Sequence, residues 1–436
     1  MTPYTIQLTP ENAGKYDVLV AGGGMSGVCA ALAAAREGAR VLLAEALPYI
    51  GGNGITGIPF IFYRATQSTR LVVGGIALEI IRRLDAKGGL GEKPELDDTL
   101  PIDTEALQIE MTHLLDDAGV DLLTHSPLIA VERDGRRVRS ATFYSKDRPL
   151  RYEAEVFIDS TGDAQLANLA GLPTPMGRQS DGKTQPMTLV FSLGGVDAAR
   201  IPSLMEMCRA WSRLRNERPN GWRNPRESPC QPAAIPGKPG VFAFNVTRMI
   251  VGKGTDSRSL TEAEKEGRYQ IEEFVEEFLR PHIPGYEKCY LTQIACRAGV
   301  RETRRIEGLY ELQKTDLLNL TQFPDAIAWN SYPIDIHSPD SGKTQYEGHS
   351  LPHDSHYTIP YRCLVARDAD NLLASGRCLS ASHEALSAVR ILSAAMATGE
   401  AAGTAAAQMI REKIADASAL DVATLRATLI RNGGIL

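Results

Sequence analysis

Apolar and polar positions alternate along this chain in two rhythms, and the first of them places a strand, a turn, a helix and a second strand near the start. Asp17–Ala21 carries a short apolar run, β-branched in part, that suits a strand buried on both faces. Cys29–Glu37 is alanine-rich and reads as a helix that Gly38 ends. Val41–Ala44 is the next strand, with Glu45 at its carboxyl end. Further on, IALEIIRRL after Gly74-Gly75 has helical spacing. Asp103-x-Glu105 caps a helix to about Ala118, with Leu107, Met111, Leu114 and Leu115 on one face. Val120–Thr124 reads as a third parallel strand. Pro127–Phe157 alternates like an antiparallel meander, with a turn at Asp134-Gly135, and 157–162 is a returning strand.

From about Pro173 the rhythm changes. Prolines become frequent, the strand–helix alternation stops and the three tryptophans appear. Met187–Leu193 and Val241–Met249 read as strands, and Leu260–Leu279 as a charged amphipathic helix capped by Thr261. Leu372–Ala374 is again a short apolar strand. One long helix follows from about Glu384 to Glu412, with Ala388, Ala395 and Ala402 on a face of small residues, and a short closing helix begins at Asp421. The pattern is α/β: a Rossmann-like nucleotide domain with a parallel sheet and a small antiparallel meander, plus a second α+β cap. The expected division is 1–173 and 361–436 for the nucleotide domain and 174–360 for the substrate or cap domain.

The turn between the first strand and helix holds the chemistry. Gly22, Gly24 and Gly27 give G-x-G-x-x-G, with Met25 and Ser26 between them. The first glycine permits a tight turn, the second lets backbone approach a pyrophosphate, and the third lets helix pack on sheet. Glu45, eighteen residues after Gly27, can accept hydrogen bonds from both hydroxyls of an adenosine ribose and would repel a 2′-phosphate. Strand, helix and terminal acid together point to a dinucleotide. Gly51, Gly52, Gly54 and Gly57 make a second glycine-rich loop, readable as a flexible surface loop or as a wall of the cofactor site to which Asn53 and Thr56 contribute hydrogen bonds. Thr161-Gly162-Asp163 ends the returning strand, either as a phosphate-facing turn or as a plain turn with Asp163 capping a helix.

Composition narrows the classes. The 436 residues are 43% hydrophobic, enough for sizeable cores. The net charge of −6 and the lack of a basic block argue against a nucleic-acid partner. No uninterrupted apolar stretch is long enough for a membrane span. The N-terminus lacks the order of a signal peptide, and the seven scattered cysteines contain no C-x-x-C, so the expectation is a cytoplasmic protein without a dithiol pair, a zinc ribbon or an iron–sulfur cluster. His353 and His356 have metal-like spacing, but no second pair or carboxylate cluster supports a metal, and none is expected.

Several stretches carry a resemblance: GGNGITG (51–57), GGIALEII (74–81), DSTGDA (159–164), DGKTQPMTLVF (181–191), GVRETRRIEG (299–308), YTIPYRCLV (357–365) and NLLASGRCLSASHEALSAVR (371–390). With the Gly22–Glu45 unit they resemble the FAD-dependent oxidoreductase family, which has a glutathione-reductase-type FAD fold and is related to fumarate reductase flavoproteins. The resemblance implies FAD extended between the domains, with adenosine and pyrophosphate on Gly22–Gly27 and Glu45. It places the flavin ring near Gly51–Gly57 and the start of the last long helix, with Gly376 and Arg377 at the cofactor. Ile391–Ala395 departs from the pattern, standing where a proline is common.

A flavin supplies the redox chemistry, and the protein positions and tunes it. A helix N-terminus near Ser387–Arg390 would favour negative charge on reduced flavin, and Arg390 either adds to it or snorkels to solvent. Three of eight histidines fall at 353, 356 and 383, beside Tyr357, Tyr361, Arg362 and Arg377. His383 is the first candidate for a flavin or substrate contact, with His356 and Tyr357 behind it. In RETRR, either the arginines form a solvated ion-paired turn, or one, Arg301 foremost, holds a substrate carboxylate or carbonyl. Cys378 is a possible point of covalent flavin attachment, though non-covalent FAD is the expectation. The function expected is hydride transfer between FAD and a small organic substrate, with an external electron donor or acceptor. The alternatives are a flavin monooxygenase and a non-catalytic electron-transfer subunit. Substrate identity and oligomeric state have no signature.

Overall fold

In the computed structural model, which describes residues 9–56, 60–65, 68–91, 99–218, 221–229, 232–347 and 351–436, the first strand is central to a seven-stranded sheet. Gly57 and part of the Lys87–Pro101 loop lie outside the described residues. Across the sheet the order is Asp121–Leu123, Val41–Ala44, Glu11–Ala21, Arg148–Asp159, Arg137–Ser145 and Leu128–Asp134. The first four run parallel, with Val18 opposite Val41 and Val20 opposite Ile158. The last two form the antiparallel meander. Its neighbour Arg148–Asp159 is long enough to take two partners on one edge. Tyr152 pairs Ala141, and six residues further on Ile158 pairs Leu373 of the strand Leu372–Ala374. That late strand brings the end of the chain back beside the first glycine turn.

The first strand begins at Glu11, before the apolar run. The mainly polar residues Glu11–Lys15 are held by pairing with Leu150–Glu153 rather than by burial, and Tyr16 is the first side chain of the strand to enter the core. Behind the sheet, the helix Met25–Arg36 packs against the helix Leu392–Glu412. The contact is backbone to backbone: a Cβ on Gly399 would stand 2.1 Å from Ser26 O, and one on Gly403 2.0 Å from Ala30 O. The small-residue face is therefore a helix–helix seam.

The last long helix is not one piece. It breaks into His383–Val389 and Leu392–Glu412 because Ile391 is extended (φ −65, ψ 159), so a new N-terminus starts at Leu392. The charged helix also differs from expectation. It runs Ser257–Glu273 and continues as a π-helical turn, Phe274–Leu279, that turns Phe274, Val275, Phe278 and Leu279 inward. Asp256 caps it; Thr261 instead bonds back to Ser257 O at 2.8 Å inside the helix. That helix covers a four-stranded sheet of Ala233–Ala234, Phe242–Phe244, Phe191–Gly194 and Tyr290–Ile294. The core there is aromatic, with Trp211 stacked on Trp222 at 4.8 Å and Phe278 edge-on to both. Trp329 lies elsewhere, against His356. No described helix is long and apolar enough to cross a membrane.

Candidate active site

The strand Glu11–Ala21 ends where Gly22 N donates to Ala44 O (2.7 Å), and Gly22 then turns with φ +99. Gly27 must lack a Cβ because one would lie 1.8 Å from Gly22 O. At Gly24 a Cβ would meet nothing within 4 Å; the position faces an open cleft. Two helices present their N-termini there, Met25–Arg36 and Leu392–Glu412. Neither has a side-chain cap nor an acid in its first turn. Elsewhere Asp103, Ser203, Asp256, Ser382 and Asp421 cap their helices. Uncapped N–H groups and the positive dipole end make such termini suited to anions.

The cleft spans about 690 Å³ and opens to solvent. Its floor is Gly24, Met25 and Ser26, with Gly51, Gly52, Asn53 and Gly54 from the second glycine loop opposite. Thr161 and Gly162 line one end with Gly376 and Arg377, and Arg390 lies on the wall with Leu392. Glu45 stands at the rim, 9% exposed, with Oε2 accepting from Gly23 N (2.6 Å) and Oε1 from Leu47 N (2.8 Å). Both oxygens keep a second lone pair. Ser26, Ser160 and Ser375 tie the ends of three segments together through hydroxyl contacts of 2.7 and 2.8 Å.

Some expected residues act from behind the surface. Thr161 Oγ1 donates to Asp159 Oδ1 (2.7 Å) and accepts from Gln165 N (2.9 Å), so it locks its own turn. Asp163 Oδ1 accepts from Arg377 Nη2 (2.9 Å) and Thr303 Oγ1 (2.7 Å), fixing Arg377 at the cleft. Thr56 donates to Gly52 O and lines a different pocket, beside Thr104 and Val190. Ser387 is fully buried, spent on Glu384 O (2.6 Å) and Asp335 N (3.1 Å); the helix end at the cleft is Leu392. Ser160, Ser375, Arg297 and Leu392 are cleft residues that the sequence did not mark.

A second, smaller chamber of about 590 Å³ adjoins the cleft and shares Asn53, Arg377, Arg390 and Leu392 with it. Phe62, Val300 and Ile391 make its apolar part, and Arg301 its charged end. Arg301 Nη1 donates to Pro186 O (2.8 Å). Burial, with Arg390 and Arg248 nearby, pushes its pKa down to about 9, which leaves it charged at neutral pH. Behind the arginines, burial pushes the Asp335 carboxyl up, but His337, Arg390 and Arg301 more than offset this and hold it below the usual range. His337 is held neutral, chiefly by burial and Arg301. Its Nδ1 faces Arg248 Nη2 at 2.7 Å, and an arginine only donates, so the ring proton sits on Nε2, toward Asp335 Oδ2 at 3.4 Å. No local motif marks Asp335, His337 or Arg248.

Of the four proposed catalytic residues, only Arg301 lines this chamber. His383 is 5% exposed, its Nδ1 is 2.8 Å from Glu302 Oε2, and it borders a separate cavity with Pro175, Gly177 and Arg305. His356 stacks on Trp329 at 3.8 Å beside Arg70. Tyr357 is buried, its hydroxyl donating to Tyr332 O (2.8 Å). Cys378 is fully buried with Sγ 3.2 Å from Asp159 O, and burial pushes its thiol well up. Among the described residues no group of three ligating side chains could hold a metal.

A glycine turn without Cβ atoms at the closest approach, two uncapped helix ends, an acid at the ribose position and Arg377 and Arg297 on the walls fit an extended dinucleotide. With a chamber beside the cleft, they define a flavoprotein of the doubly wound α/β class. The chain belongs to the FAD dependent oxidoreductase family, whose profile matches residues 17–429. It is an enzyme, and FAD is its cofactor. Its fold resembles a geranylgeranyl bacteriochlorophyll reductase-like protein from Thermoplasma acidophilum (15% identity, TM-score 0.50, covering 96% of this chain and 83% of that one). It also resembles p-nitrophenol 4-monooxygenase from Pseudomonas putida (11% identity, TM-score 0.50, covering 96% and 88%). At these identities the likeness is one of fold. No curated protein shows significant similarity to the chain.

Proposed function

We propose that the enzyme transfers a hydride between non-covalently held FAD and a small organic substrate seated in the chamber beside the cofactor cleft. The observation that carries this reading is the common wall: Asn53, Arg377, Arg390 and Leu392 border both spaces, so a molecule in one abuts a molecule in the other. FAD, when bound, takes up or gives back two electrons at its flavin ring. The chain holds it: the N-terminus of Met25–Arg36 serves the pyrophosphate, Glu45 the ribose, and the N-terminus at Leu392 with Arg390 the electronegative edge of the ring. Phe62, Val300, Ile391 and Leu392 give the chamber its apolar lining. Residues 9–173 and 361–436 supply the FAD-binding part; within 174–360 the separate core of the cap is drawn from residues between Met187 and Val300, while Leu312, Ile327, Ile334 and Ile359 pack into the FAD-binding core. Cys378 is turned into the strand-end packing, which supports a non-covalent cofactor.

Electrons pass to or from a diffusing partner, since the chain has one glycine fingerprint with its acid. Anaerobic mixing with candidate substrates tests the reading. Bleaching of the flavin absorbance by a substrate, or reoxidation of reduced flavin by one, supports it. A reaction that proceeds only with oxygen and places an oxygen atom in the product overturns it in favour of monooxygenation.

A further inference from the structure

The chamber holds more positive charge than the protein neutralises. Arg301 is 7% exposed, and its hydrogen bonds go to neutral groups, Pro186 O at 2.8 Å and Asn245 Oδ1 at 3.4 Å. It forms no ion pair among the described residues. Arg390, 9% exposed, is held only loosely. Its Nη2 stands 3.4 Å from Gln185 Oε1, 3.4 Å from Asp335 O and 3.8 Å from Asp335 Oδ2. Its Nε is buried and, among the described residues, has no hydrogen-bond partner. Among the described residues Asp335 is the one carboxylate near the two guanidinium groups; its Oδ2 also accepts from the Tyr332 hydroxyl at 3.0 Å, and its Oδ1 has no hydrogen-bond partner there. A buried charge without a partner, and a buried N–H without an acceptor, are both unfavourable. Neither is expected in a finished core, and both are expected in a pocket whose occupant supplies the anion.

We propose that the chamber selects a small organic carboxylate, with its anionic group between Arg301 and Arg390 and its hydrocarbon body against Phe62, Val300, Ile391 and Leu392. This rests on the reading of the chamber as the substrate site. A planar carboxylate suits the fork of donors left on two partly engaged guanidinium groups. A phosphate monoester carries three oxygens and more charge, and the third guanidinium of the chamber, Arg377, is already committed to Asp163 and Thr303. The neutral end of the substrate then lies toward Asn53 and Leu392, which border the cofactor cleft together with Arg377 and Arg390.

The test uses the FAD-loaded enzyme, with benzoate, benzamide and phenyl phosphate as probes, read by calorimetry and by the flavin difference spectrum. Benzoate should bind about tenfold or more tighter than benzamide and perturb the flavin spectrum. Arg301→Met should weaken benzoate about tenfold or more while leaving benzamide unchanged and FAD content at one per chain, and Arg390→Met, which also borders the cofactor cleft, should weaken benzoate about tenfold or more when assayed at saturating FAD. The second variant guards against misfolding of the first. Equal binding of benzoate and benzamide, tighter binding of phenyl phosphate, no saturable benzoate binding, or loss of FAD rather than of benzoate affinity in Arg301→Met would each overturn the proposal. The two readings fail separately. A neutral compound that reduces the flavin while benzoate does not compete removes the carboxylate and leaves hydride transfer standing. Benzoate held by Arg301 in an enzyme whose flavin no organic compound reduces keeps the anion site and removes hydride transfer.

Discussion

Replacing Glu400 by glutamine should change how the stability of this enzyme depends on pH. Glu400 lies on the long helix Leu392–Glu412, 5% exposed, with Oε2 accepting from Ile76 N at 2.9 Å. Gly75, at φ +55, makes room, since a Cβ there would stand 2.3 Å from that oxygen. Burial raises the carboxyl from 4.5 to about 7, with Ile76 N–H and Arg36 pulling back and Glu79 adding to the rise. Arg36 is itself committed to Glu79 at 2.6 Å. Below pH 4.5 the group is protonated in both folded and unfolded chains and costs nothing extra. As pH rises, the unfolded chain ionises first and is favoured, so stability falls until the folded carboxyl ionises at about 7. That interval, at ~1.4 kcal/mol for each pH unit, amounts to about 3 kcal/mol. The Glu400→Gln side chain keeps an acceptor for Ile76 N–H and does not titrate. Urea unfolding at fixed, saturating FAD from about pH 4.5 to 8 should show the variant gaining about 3 kcal/mol on the parent across the range. A difference between the two proteins that stays flat with pH would refute the reasoning.

Other substitutions separate support from chemistry. Gly399→Ala forces apart the helix seam at Ser26, so it should cost about 1–3 kcal/mol in thermal unfolding and weaken FAD binding measured by fluorescence titration. His383→Ala removes one partner of the buried Glu302 and should cost about 1–3 kcal/mol, with the flavin reduction rate unchanged in stopped flow because His383 borders a separate cavity. A large loss of reduction rate would return His383 to the catalytic list. Cys378→Ser should leave acid-released FAD unaltered, as judged by chromatography of the supernatant.

What the sequence revealed, it revealed through backbone constraints. The spacing of Gly22, Gly24 and Gly27, with an acid at Glu45, restricts the turn so narrowly that the cleft floor follows from it. Leu372–Ala374 was readable because a three-residue apolar run ended by glycine leaves few alternatives to a short buried strand. The break at Ile391 was not readable. Alanine-rich sequence runs through it, and only the tertiary setting makes Ile391 extended and opens a helix end at Leu392. RETRR shows why the side chains were harder still. Arg301 enters the chamber, Glu302 pairs with His383 and Arg305, and Arg304 reaches Asp163 O and Gln165. Neighbours in sequence serve three different places. Asp335, His337 and Arg248 converge from two distant segments, and no spacing rule brings them together. Ser387 and Thr56 were sound as polar residues near cofactor motifs, but local hydrogen bonds claim both.

The central claim is that the cleft between the two uncapped helix ends holds FAD beside a substrate chamber. The absorption spectrum of the purified protein, before and after acid precipitation, tests it most directly. A flavin spectrum is expected, one FAD per chain, with the colour passing into the supernatant. Colour retained in the pellet would contradict the non-covalent cofactor, and a colourless protein that fails to take up added FAD would contradict the cleft itself.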